Sequence, residues 1–402
     1  MNMKTVILAA GKGNRMWPLT ENRPKAMLPV AGKPVMEHLV AEAIGAGLND
    51  FIFVVGHCGE TIREYFGNGS QLKIKITYIE QNLPRGTSEA IELVKDEVGS
   101  KFLVINGDNI VKSTDINRLI ESDITCLGVK QVDNPFGLGV VETRGKRIVR
   151  IHEKVEKPPT KLANAGLYLF TSDIIDAISR TPVSSRGEYE LPGAIQTMLD
   201  AGIEVRFHEV DTWLEMSYPW DVLSVNERLM TEIKGDCMGT IEENVFISGN
   251  TQIGCDTLLR SGTYIEGPVI IGDGCDIGPN CYIRGSTAIG DKCRIGAGVE
   301  IKNSVIMKNT RIPHLSYIGD SVIGENCNLG AGTNVANLRF DHRDVAVNHI
   351  NSQRRKLGLI SGNNVSTGIN VSINTGTIIG SGITIKPGAI AKGVISSGSR
   401  VF

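Results

Sequence analysis

The strongest constraint on this 402-residue chain is a six-residue repeat in its second half. From about residue 245, large aliphatic residues recur at every sixth position, and glycine directly follows several of them. The repeated positions are Ile253, Leu259, Ile265, Ile271, Ile277, Ile283, Ile289, Ile295 and Ile301. Such a hexapeptide repeat is typical of a left-handed parallel β-helix, in which three hexads form one triangular coil. The pattern resumes after one-residue slips near Ile318 and again near Ile373, so we predict a β-helix over residues 245–402.

Four of the eight cysteines occupy one fixed position of this repeat, two residues before the large aliphatic residue. They are Cys275, Cys281, Cys293 and Cys327. Small residues such as Thr257 otherwise fill this position, so the pattern predicts inward packing rather than metal ligation or redox chemistry. The sequence contains no CxxC pair, which argues against a zinc site. We expect mostly free thiols, as in a reducing compartment.

Residues 1–228 follow a different pattern, in which short apolar runs alternate with helix-like stretches. The predicted strands are 5–9, 51–55 and 102–106, and the predicted helices include 35–46 and 88–98. This alternation predicts an α/β, Rossmann-like domain with a mainly parallel sheet and ligands at the carboxyl ends of its strands. We therefore expect domains at residues 1–228 and 245–402. A linker over 229–244 would join them, and we expect the segment from Trp213 to Lys234 to be the helical part of the connection.

Charge and hydropathy exclude several classes of function. The formal net charge of −2 gives no global attraction for nucleic acid or for an anionic membrane surface. No apolar run in the sequence approaches the roughly 20 residues that a membrane-spanning helix needs. The apolar stretch near the N-terminus runs directly into Gly-Lys-Gly-Asn-Arg, without the cleavage site of a signal peptide. We therefore expect a cytoplasmic protein.

The repeat gives way to a charged stretch between residues 338 and 358, which includes Arg339, Asp341 and Arg354. Long loops in compact domains are often functional. Two interpretations remain open, namely a solvated loop and an excursion over a binding site.

A glycine-rich motif, LAAGKGNRMWPLT, follows the first predicted strand. Its glycines let backbone N–H groups approach phosphate oxygens closely, and Arg15 adds a fixed positive charge. A lone GxG would by default be a tight turn, but this motif continues into Arg23-Pro-Lys25, which brings a second cation near the same triphosphate. The candidate nucleotide-binding residues of the motif are Leu8, Ala10, Gly11 and Gly13.

Together, LAAGKGNRMWPLT and RPKAMLPVAGKP resemble the signature of the nucleotidylyltransferases that make nucleotide sugars. The second half resembles the acetyltransferase half of the bifunctional N-acetylglucosamine-1-phosphate uridylyltransferase/glucosamine-1-phosphate N-acetyltransferase family. The resemblance covers essentially the whole chain and is strongest to archaeal-type sugar-1-phosphate nucleotidylyltransferase/acetyltransferases. It implies that Arg15 and Lys25 are catalytic cations that stabilise negative charge on the reacting phosphates.

The resemblance also implies a base-binding segment and a magnesium ligand. In Gln81-Asn-Leu-Pro-Arg-Gly86-Thr87, Gln81 and Gly86 would read the pyrimidine edge, although a surface loop is the alternative interpretation. Asp108, in Asn-Gly-Asp after a predicted strand, matches the family's magnesium aspartate, although such a carboxylate could instead cap a helix. Mg²⁺ usually takes only one or two protein carboxylates, so one aspartate suffices to mark the site.

Candidates for the sugar-phosphate pocket and for a second metal ligand follow from the same resemblance. The pocket residues would be Gly139, Glu153, Lys154, Asn164 and Asn226. Glu156-Lys157-Pro158 offers an alternative register for the Glu-Lys pair, and a solvated run of charges is the other interpretation. For the second metal ligand, Glu215 stands where relatives often have aspartate, and Asn226 matches an asparagine ligand of the bacterial enzymes.

In the second half, the resemblance implies an acetyl-transfer site. His314 would be the general base for the sugar amine, because imidazole titrates near neutral pH. The other residues would be Arg284, Lys302, Tyr317, Asn328 and Asn337. Leu338 replaces a tyrosine that follows the asparagine in the bacterial enzymes, which argues against a purely glucosamine-specific pocket. The alternative is a β-helix that serves only as an oligomerising scaffold.

The resemblance therefore predicts a bifunctional enzyme with Mg²⁺ as cofactor. It would transfer a nucleotidyl group from UTP or dTTP to N-acetylglucosamine-1-phosphate or a related sugar-1-phosphate. It would also use acetyl-CoA to N-acetylate glucosamine-1-phosphate or galactosamine-1-phosphate, in a homotrimer with acetyl-CoA between adjacent subunits. Two alternatives are a monofunctional glucose-1-phosphate thymidylyl- or uridylyltransferase with a structural β-helix, and an inactive regulatory subunit. Arg15, Lys25 and Asp108 argue against the inactive subunit, and Lys302 and His314 argue against the monofunctional enzyme.

Overall fold

The computed structural model describes residues 3–83, 85–184 and 186–401, which form two compact units. The first unit comprises the chain up to Lys12, Arg23–Met27 and Val35–Glu215, and the second comprises Gly13–Asn22, Leu28–Pro34 and the chain from Met216 onward. This division differs from the predicted domains 1–228, 229–244 and 245–402. Two short N-terminal segments and the helix that follows Met216 belong to the same unit as the β-helix.

The elements of the first 230 residues are as follows. The helices are α1 (Val35–Gly45), α2 (Glu60–Phe66), α3 (Thr87–Leu93), α4 (Ser113–Ile120), α5 (Asp173–Arg180), α6 (Leu191–Asp200) and α7 (Asp221–Met230). The strands are β1 (Lys4–Ala9), β2 (Pro29–Val30), β3 (Lys33–Pro34), β4 (Asp50–Val55), β5 (Lys75–Glu80), β6 (Lys101–Asn106), β7 (Asn109–Val111), β8 (Cys126–Gln131), β9 (Val140–Arg144), β10 (Arg147–His152), β11 (Leu162–Thr171), β12 (Arg206–Glu209) and β13 (Trp213–Glu215). Short 3-10 turns occupy Asn14–Met16, Lys25–Met27 and Ser70–Leu72. Among the helices of the described residues, none is long and apolar enough to cross a bilayer.

The first unit is built on one nine-stranded sheet in the order β5-β4-β1-β6-β11-β8-β12-β10-β9. The four strands β5, β4, β1 and β6 are parallel, but β11 runs antiparallel to both of its main neighbours, β6 and β8. The predicted parallel sheet is therefore correct for one half, and the α/β class is confirmed. The strand order reverses at β1, between β4 and β6. Ligands of such sheets bind at the carboxyl ends of the strands beside this point.

Side chains of the central strands alternate between two hydrophobic cores, one on each face of the sheet. Ile7 and Ile105 lie in the core that includes residues of α1 and α4. Val6 and Val104 lie in the core that includes residues of α3, α5 and α6. Because both faces are buried, these strands read in the sequence as continuous apolar runs rather than as an alternating pattern.

The second unit contains the predicted β-helix. Its strands are β14 (Asp236–Cys237), β15 (Thr240–Ile241), β16 (Phe246–Ser248), β17 (Thr251–Ile253), β18 (Leu258–Leu259), β19 (Tyr264–Glu266), β20 (Val269–Ile271), β21 (Asp276–Ile277), β22 (Tyr282–Ile283), β23 (Thr287–Ile289), β24 (Arg294–Ile295), β25 (Glu300–Lys302), β26 (Val305–Ile306), β27 (Arg311–Ile312), β28 (Tyr317–Gly319), β29 (Val322–Ile323), β30 (Asn328–Leu329), β31 (Asn334–Val335), β32 (Ala346–Val347), β33 (Ile350–Asn351), β34 (Leu359–Ser361), β35 (Ser366–Thr367), β36 (Ser372–Ile373), β37 (Thr377–Ile379), β38 (Thr384–Ile385), β39 (Ile390–Ala391), β40 (Val394–Ile395) and β41 (Arg400–Val401). Apart from β32 and β33, they form three parallel sheets, as a left-handed β-helix requires.

The repeat positions line the interior of this β-helix, as predicted. All nine residues of the uninterrupted run from Ile253 to Ile301 are buried in one core. The one-residue slips correspond to shorter coils, because Ile289 lies opposite Ile306 and Ile295 lies opposite Ile312. Each shorter coil therefore has one residue fewer at a corner, and the strand residues that face the interior keep their alignment with those of the neighbouring coil.

The cysteines of the repeat also pack inward. Cys275, Cys281, Cys293 and Cys327 are buried, and all eight cysteines of the chain are free. Burial raises the pKa of Cys275, Cys281 and Cys327 to about 11 and raises that of Cys293 as well. These side chains therefore remain protonated thiols at neutral pH, which fits a packing role.

Two segments differ from a simple linker or loop. Trp213–Glu215 forms β13, so the helical part of the predicted stretch from Trp213 to Lys234 is limited to α7. The charged excursion leaves after Asn337, forms the β32–β33 hairpin, and returns at Leu357, whose N–H donates to the Asn337 carbonyl at 2.9 Å. The Arg354 guanidinium pairs with the carboxylate of Glu227 on α7, and its side chain is only 14% exposed. The excursion is thus anchored at its base.

Candidate active sites

The first candidate site lies beyond the carboxyl end of β6, where the chain turns from β6 into β7 and places Asp108. The Lys25 ammonium, in the 3-10 turn Lys25–Met27, lies 2.5 Å from the Asp108 carboxylate. The sequence motifs that carry these two residues are far apart, yet the fold pairs the predicted triphosphate cation with the predicted metal carboxylate. Both side chains are largely buried, so their charges are only partly screened by water.

Glu215 lies beside Asp108 because β13 pairs with β7. In this antiparallel pair, Glu215 is directly opposite Asn109, the residue after Asp108. The buried phenol of Tyr168 senses the charges of this region. Burial raises the pKa of Tyr168, the hydrogen bond from Asn164 opposes that shift, and the negative charges of Glu153, Glu215 and Asp108 add to it. Three candidate carboxylates therefore act electrostatically on one side chain.

This arrangement suits a magnesium ion better than a metal held by protein alone. In the part of the chain that the structure describes, no three His, Cys, Asp or Glu side chains are grouped closely enough to hold a metal ion. Mg²⁺ keeps several waters and typically uses one or two carboxylates together with substrate phosphates. Asp108 and Glu215 could supply such a pair of oxygen ligands.

The predicted base-binding residues lie in the segment that follows β5 and contact one another. Gln81 is 4% exposed, and its Nε2 donates to the Gly86 carbonyl at 3.0 Å and to Glu89 at 2.9 Å. Gly86 has a φ of 129°, and the backbone of Tyr189 lies where a Cβ would be, so only glycine fits. The hydroxyl of Thr87 accepts a hydrogen bond from the N–H of Leu191, the first residue of α6. These contacts hold the segment in shape.

The glycine-rich motif is divided between the two units. Leu8 lies in β1, Ala10 is buried just beyond it, and Gly11 is exposed with open space around its Cα. Gly13 and Arg15 belong to the second unit. There Gly13 has a φ of 62° and begins a 3-10 turn, and the exposed Arg15 places its guanidinium 5.8 Å from the centre of the Tyr218 ring.

The predicted sugar-phosphate residues of the first unit form one cluster. A Cβ on Gly139 would lie 2.7 Å from Glu153 Oε2, so glycine leaves room for this carboxylate. Lys154 Nζ lies 3.2 Å from Glu153 Oε1, and the backbone N–H of Asn164 donates to the Gly139 carbonyl at 2.9 Å. The Asn164 side chain donates to the Tyr168 hydroxyl at 2.9 Å. These contacts favour the Glu153-Lys154 register over the exposed pair that follows it.

Sequence reasoning missed Arg186, which joins this cluster. Its Nη2 donates to Glu153 Oε1 at 3.1 Å, and its Nε donates to Glu190 Oε1 at 2.8 Å. Arg186 lies in an irregular loop before α6, where no strand or helix pattern singles it out. The nearby Glu-Tyr-Glu triplet, rich in acidic residues, was the signal that could have pointed to a paired arginine.

Asn226 makes structural contacts that the sequence interpretation did not predict. It is fully buried on α7 in the second unit, and both ends of its side-chain amide are engaged. Its oxygen accepts from the Ala31 N–H at 2.8 Å, and its nitrogen donates to the Ser286 carbonyl at 2.8 Å. These bonds join three segments of the second unit. Asn226 therefore has a structural role in the second unit, and its place in the metal and sugar sites stays a prediction.

The second candidate site surrounds a buried carboxylate in the β-helix. Asp320, which is 2% exposed, accepts hydrogen bonds from Lys302 Nζ at 3.3 Å and from Asn337 Nδ2 at 2.5 Å. Asn337 also donates to the Tyr317 hydroxyl at 3.1 Å. Burial raises the pKa of Tyr317, so the phenol stays protonated. The structure thus brings together three of the predicted residues, around an aspartate that had not been singled out.

Three other predicted residues of this site are outside the hydrogen-bonded Asp320 cluster, although the charge of Arg284 acts on Tyr317. Arg284 pairs with Glu300 at 3.0 Å and lies over the Tyr282 ring. His314 is exposed at the corner between β27 and β28, and its carbonyl accepts from Gly332 N. Asn328 is exposed on β30. Within the described ranges, no hydrogen bond joins the side chains of His314 and Asn328 to the Asp320 cluster.

Comparisons with known proteins agree with both halves of this description. A family model for nucleotidyl transferases matches residues 4–231, and one for the C-terminal domain of GMPPB matches residues 265–397. The bifunctional protein GlmU of Methanocaldococcus jannaschii is 41% identical over 409 aligned positions, covering 100% of this chain and 97% of that protein. The bifunctional sugar-1-phosphate nucleotidylyltransferase/acetyltransferase of Sulfurisphaera tokodaii is 41% identical, covering 96% of this chain and 97% of its own.

A solved structure also matches part of the chain. It is that of a Bacillus anthracis protein assigned as a glucose-1-phosphate thymidylyltransferase. This structure is 26% identical, covers 58% of this chain and 97% of its own, and superposes with a TM-score of 0.53. The full-length relatives and the arrangement of both sites lead to one conclusion: the chain belongs to the family of bifunctional sugar-1-phosphate nucleotidylyltransferase/acetyltransferases.

Proposed function

We propose that this enzyme catalyses two reactions. In the first, it uses Mg²⁺ to transfer a nucleotidyl group from UTP or dTTP to N-acetylglucosamine-1-phosphate or a related sugar-1-phosphate. In the second, it uses acetyl-CoA to N-acetylate glucosamine-1-phosphate or galactosamine-1-phosphate. The observation that carries the first activity is the Lys25–Asp108 pair with Glu215 beside it. The Lys302–Asp320–Asn337 cluster carries the second. Eight free cysteines are in keeping with a reducing cytoplasm, where we place the enzyme.

In nucleotidyl transfer, an oxygen of the sugar phosphate attacks the α-phosphorus of the nucleotide. The bond from that phosphorus to the bridging oxygen breaks, and pyrophosphate leaves. The attacking phosphate is already ionised, so no general base is required. Lys25 and Arg15 would balance the charge that develops on the phosphates. Asp108 and Glu215 would hold Mg²⁺, which neutralises phosphate charge when bound.

The buried amide of Gln81 and the backbone beside Gly86 would recognise the base. Because Gln81 Nε2 already donates to Gly86 and Glu89, its position is fixed before the nucleotide arrives. UTP and dTTP present similar pyrimidine edges, so discrimination between them would depend on contacts to the ribose 2′-hydroxyl. Both nucleotides therefore belong in the test.

The sugar phosphate would be held by Glu153, Lys154 and Asn164. Glu153 accepts hydrogen bonds and would bind sugar hydroxyls, whereas Lys154 carries the charge needed for the phosphate. Arg186 contributes a second cation to the same pocket, through its contact with Glu153. We therefore add Arg186 to the proposed sugar-phosphate residues.

Replacing Arg186 with alanine should raise the KM for the sugar phosphate by about tenfold, because a charge-assisted hydrogen bond is lost. The KM for the nucleotide should stay unchanged. Steady-state kinetics with each substrate varied in turn measures this. Arg150→Ala, which removes an exposed arginine of β10, is the matched control. Equal increases in both KM values for Arg186→Ala would contradict a role specific to the sugar.

In acetyl transfer, His314 would remove a proton from the sugar amine as its nitrogen attacks the thioester carbonyl carbon of acetyl-CoA. The C–S bond then breaks, and CoA leaves as the thiol after it gains a proton. Lys302 would bind the sugar phosphate, and Tyr317 and Asn337 would orient the sugar. Arg284 and Asn328 complete the proposed set. Asp320 keeps Lys302 and Asn337 in place by accepting a hydrogen bond from each.

We further propose a homotrimer formed by the β-helix. The support is that His314 and Asn328 lie at exposed positions away from the Asp320 cluster of the same chain. A neighbouring subunit could bring its own Asp320 cluster to this histidine. Acetyl-CoA would then bind between adjacent subunits, and each acetyl-transfer site would depend on two chains.

A substrate panel tests the proposed function. Each of several sugar-1-phosphates is incubated with UTP, dTTP, ATP or GTP and Mg²⁺, and pyrophosphate release is measured. In parallel, glucosamine-1-phosphate and galactosamine-1-phosphate are incubated with acetyl-CoA, and the free thiol of CoA is measured. We expect pyrophosphate release with pyrimidine nucleotides and CoA release with amino sugars. Pyrophosphate release that is restricted to purine nucleotides would contradict the proposal.

A further inference from the structure

The carboxylate of Glu21 holds together two distant parts of the second unit. Its Oε1 accepts hydrogen bonds from Trp17 Nε1 at 2.8 Å and from the Ser397 hydroxyl at 2.5 Å. Its Oε2 accepts from the backbone N–H of Ser381 at 3.1 Å. Partial burial by itself raises the pKa of Glu21, but the bonds from Ser381, Ser397 and Trp17 lower it below its ordinary value. The ionised form is thus stabilised.

The two serines belong to the last coils of the β-helix. Ser381 follows β37 and Ser397 follows β40, and these strands are neighbours in one sheet. Both coils lie beyond Asn337, the last of the residues proposed for acetyl transfer. Neither serine is therefore needed to explain acetyl transfer, and their shared contact is with a residue near the N-terminus.

The segment from Gly13 to Asn22 ends at this contact, and its internal bonds make it compact. The N–H of Met16 donates to the Gly13 carbonyl at 2.8 Å, and the hydroxyl of Thr20 donates to the same carbonyl at 3.0 Å. Arg15 lies within the segment. A shift at Glu21 would therefore move the backbone that carries the Arg15 guanidinium.

We propose that Glu21 is a positioning residue for nucleotidyl transfer, which ties the Arg15 segment to the last two coils of the β-helix. The terminal coils of the β-helix thereby support nucleotidyl transfer. The inference rests on the proposed role of Arg15 at the triphosphate. It adds to that role a reason for the β-helix to extend past the acetyl-transfer residues.

Glu21→Gln tests this inference on the full-length enzyme. Glutamine keeps the size of the side chain, but its NH₂ group replaces one of two accepting oxygens and would face an N–H or O–H donor. A displaced catalytic cation should lower kcat for pyrophosphate release by about ten- to a hundredfold. CoA release from glucosamine-1-phosphate, measured on the same sample, should stay unchanged. Ser397→Ala, which removes one of the bonds, should give a smaller loss of the same kind.

The matched control is Glu243→Gln, which removes the charge of an exposed glutamate in the same unit. It should leave both activities unchanged. An unchanged rate of pyrophosphate release for Glu21→Gln would overturn the proposal. Equal losses of both activities would also overturn it, because they would show a general loss of folded enzyme.

A double-mutant cycle with Arg15→Ala separates this inference from the proposed role of Arg15. If Glu21 acts through Arg15, Glu21→Gln should cause little further loss when Arg15 is already alanine. Losses that multiply would overturn the positioning role alone. If Arg15→Ala by itself leaves pyrophosphate release unchanged, then the proposed role of Arg15 is wrong and the inference fails with it.

Discussion

Asp108→Ala is expected to lower pyrophosphate release by about a thousandfold or more, because removing a metal ligand forfeits several kcal/mol of charge stabilisation. It also leaves Lys25, a largely buried cation, without the carboxylate that lies 2.5 Å away. The two losses should act on the same step, since both groups are proposed to act at the phosphates. The measurement is pyrophosphate release with N-acetylglucosamine-1-phosphate and UTP over a range of Mg²⁺ concentrations.

CoA release by the Asp108→Ala enzyme should stay unchanged, because the proposed acetyl-transfer residues all lie in the β-helix. Asp123→Ala is the matched control, since Asp123 is an exposed aspartate of the same unit. It should keep full activity in both assays. Retention of pyrophosphate release by the Asp108 variant would mean that the metal and triphosphate bind elsewhere.

His314→Ala is expected to have the second-largest effect, a loss of CoA release of about a hundred- to ten-thousandfold, which is the usual contribution of a general base. The imidazole is exposed at a corner of the β-helix, so its removal leaves no cavity. The variant should stay folded and keep the oligomeric state of the wild type, which we propose to be a trimer, and size-exclusion chromatography can check this. Pyrophosphate release by the same enzyme should stay unchanged.

The pH profile gives His314→Ala a second readout. A lost general base should be partly replaced by hydroxide at high pH, so the residual rate of the variant should keep rising where that of the wild type levels off. A variant that loses both activities in a still-trimeric form would instead show that the two sites are not independent. Full CoA release by the variant would assign the base to another residue.

The sequence was most informative where structure repeats. Each hexad specifies one inward side chain, so the buried positions from Ile253 to Ile301 could be predicted one by one. Even the shorter coil at Ile306 follows from counting residues. The first unit was less predictable, because strands buried on both faces carry no sign of direction. The antiparallel placement of β11 was missed for this reason.

For the candidate sites, the sequence predicted the residues that belong to recognisable motifs but not the contacts between them. Asp108 and Lys25 were found through the family resemblance, but their pairing depends on how β6 and an early turn meet. The structural contacts of Asn226 were not predicted, because a buried amide that joins backbone segments has the same sequence context as a ligand. For Arg186, only the nearby Glu-Tyr-Glu triplet offered a local signal. The bonds of Arg186 to Glu153 and of Glu21 to Ser397 join residues distant in sequence, so no local pattern could reveal those contacts.

The excursion between Asn337 and Leu357 has an evolutionary consequence. Its two ends meet through a backbone hydrogen bond, and the coils on either side stay in register, with Asn334 opposite Ser372. Insertions, deletions or whole replacements of the hairpin therefore need not disturb any strand of the β-helix. Apart from buried residues such as Val345 and Val347 and the largely buried Arg354, the residues of this peptide can therefore vary above an unchanged scaffold, which suits them to diversify between lineages and to be exchanged in chimaeras.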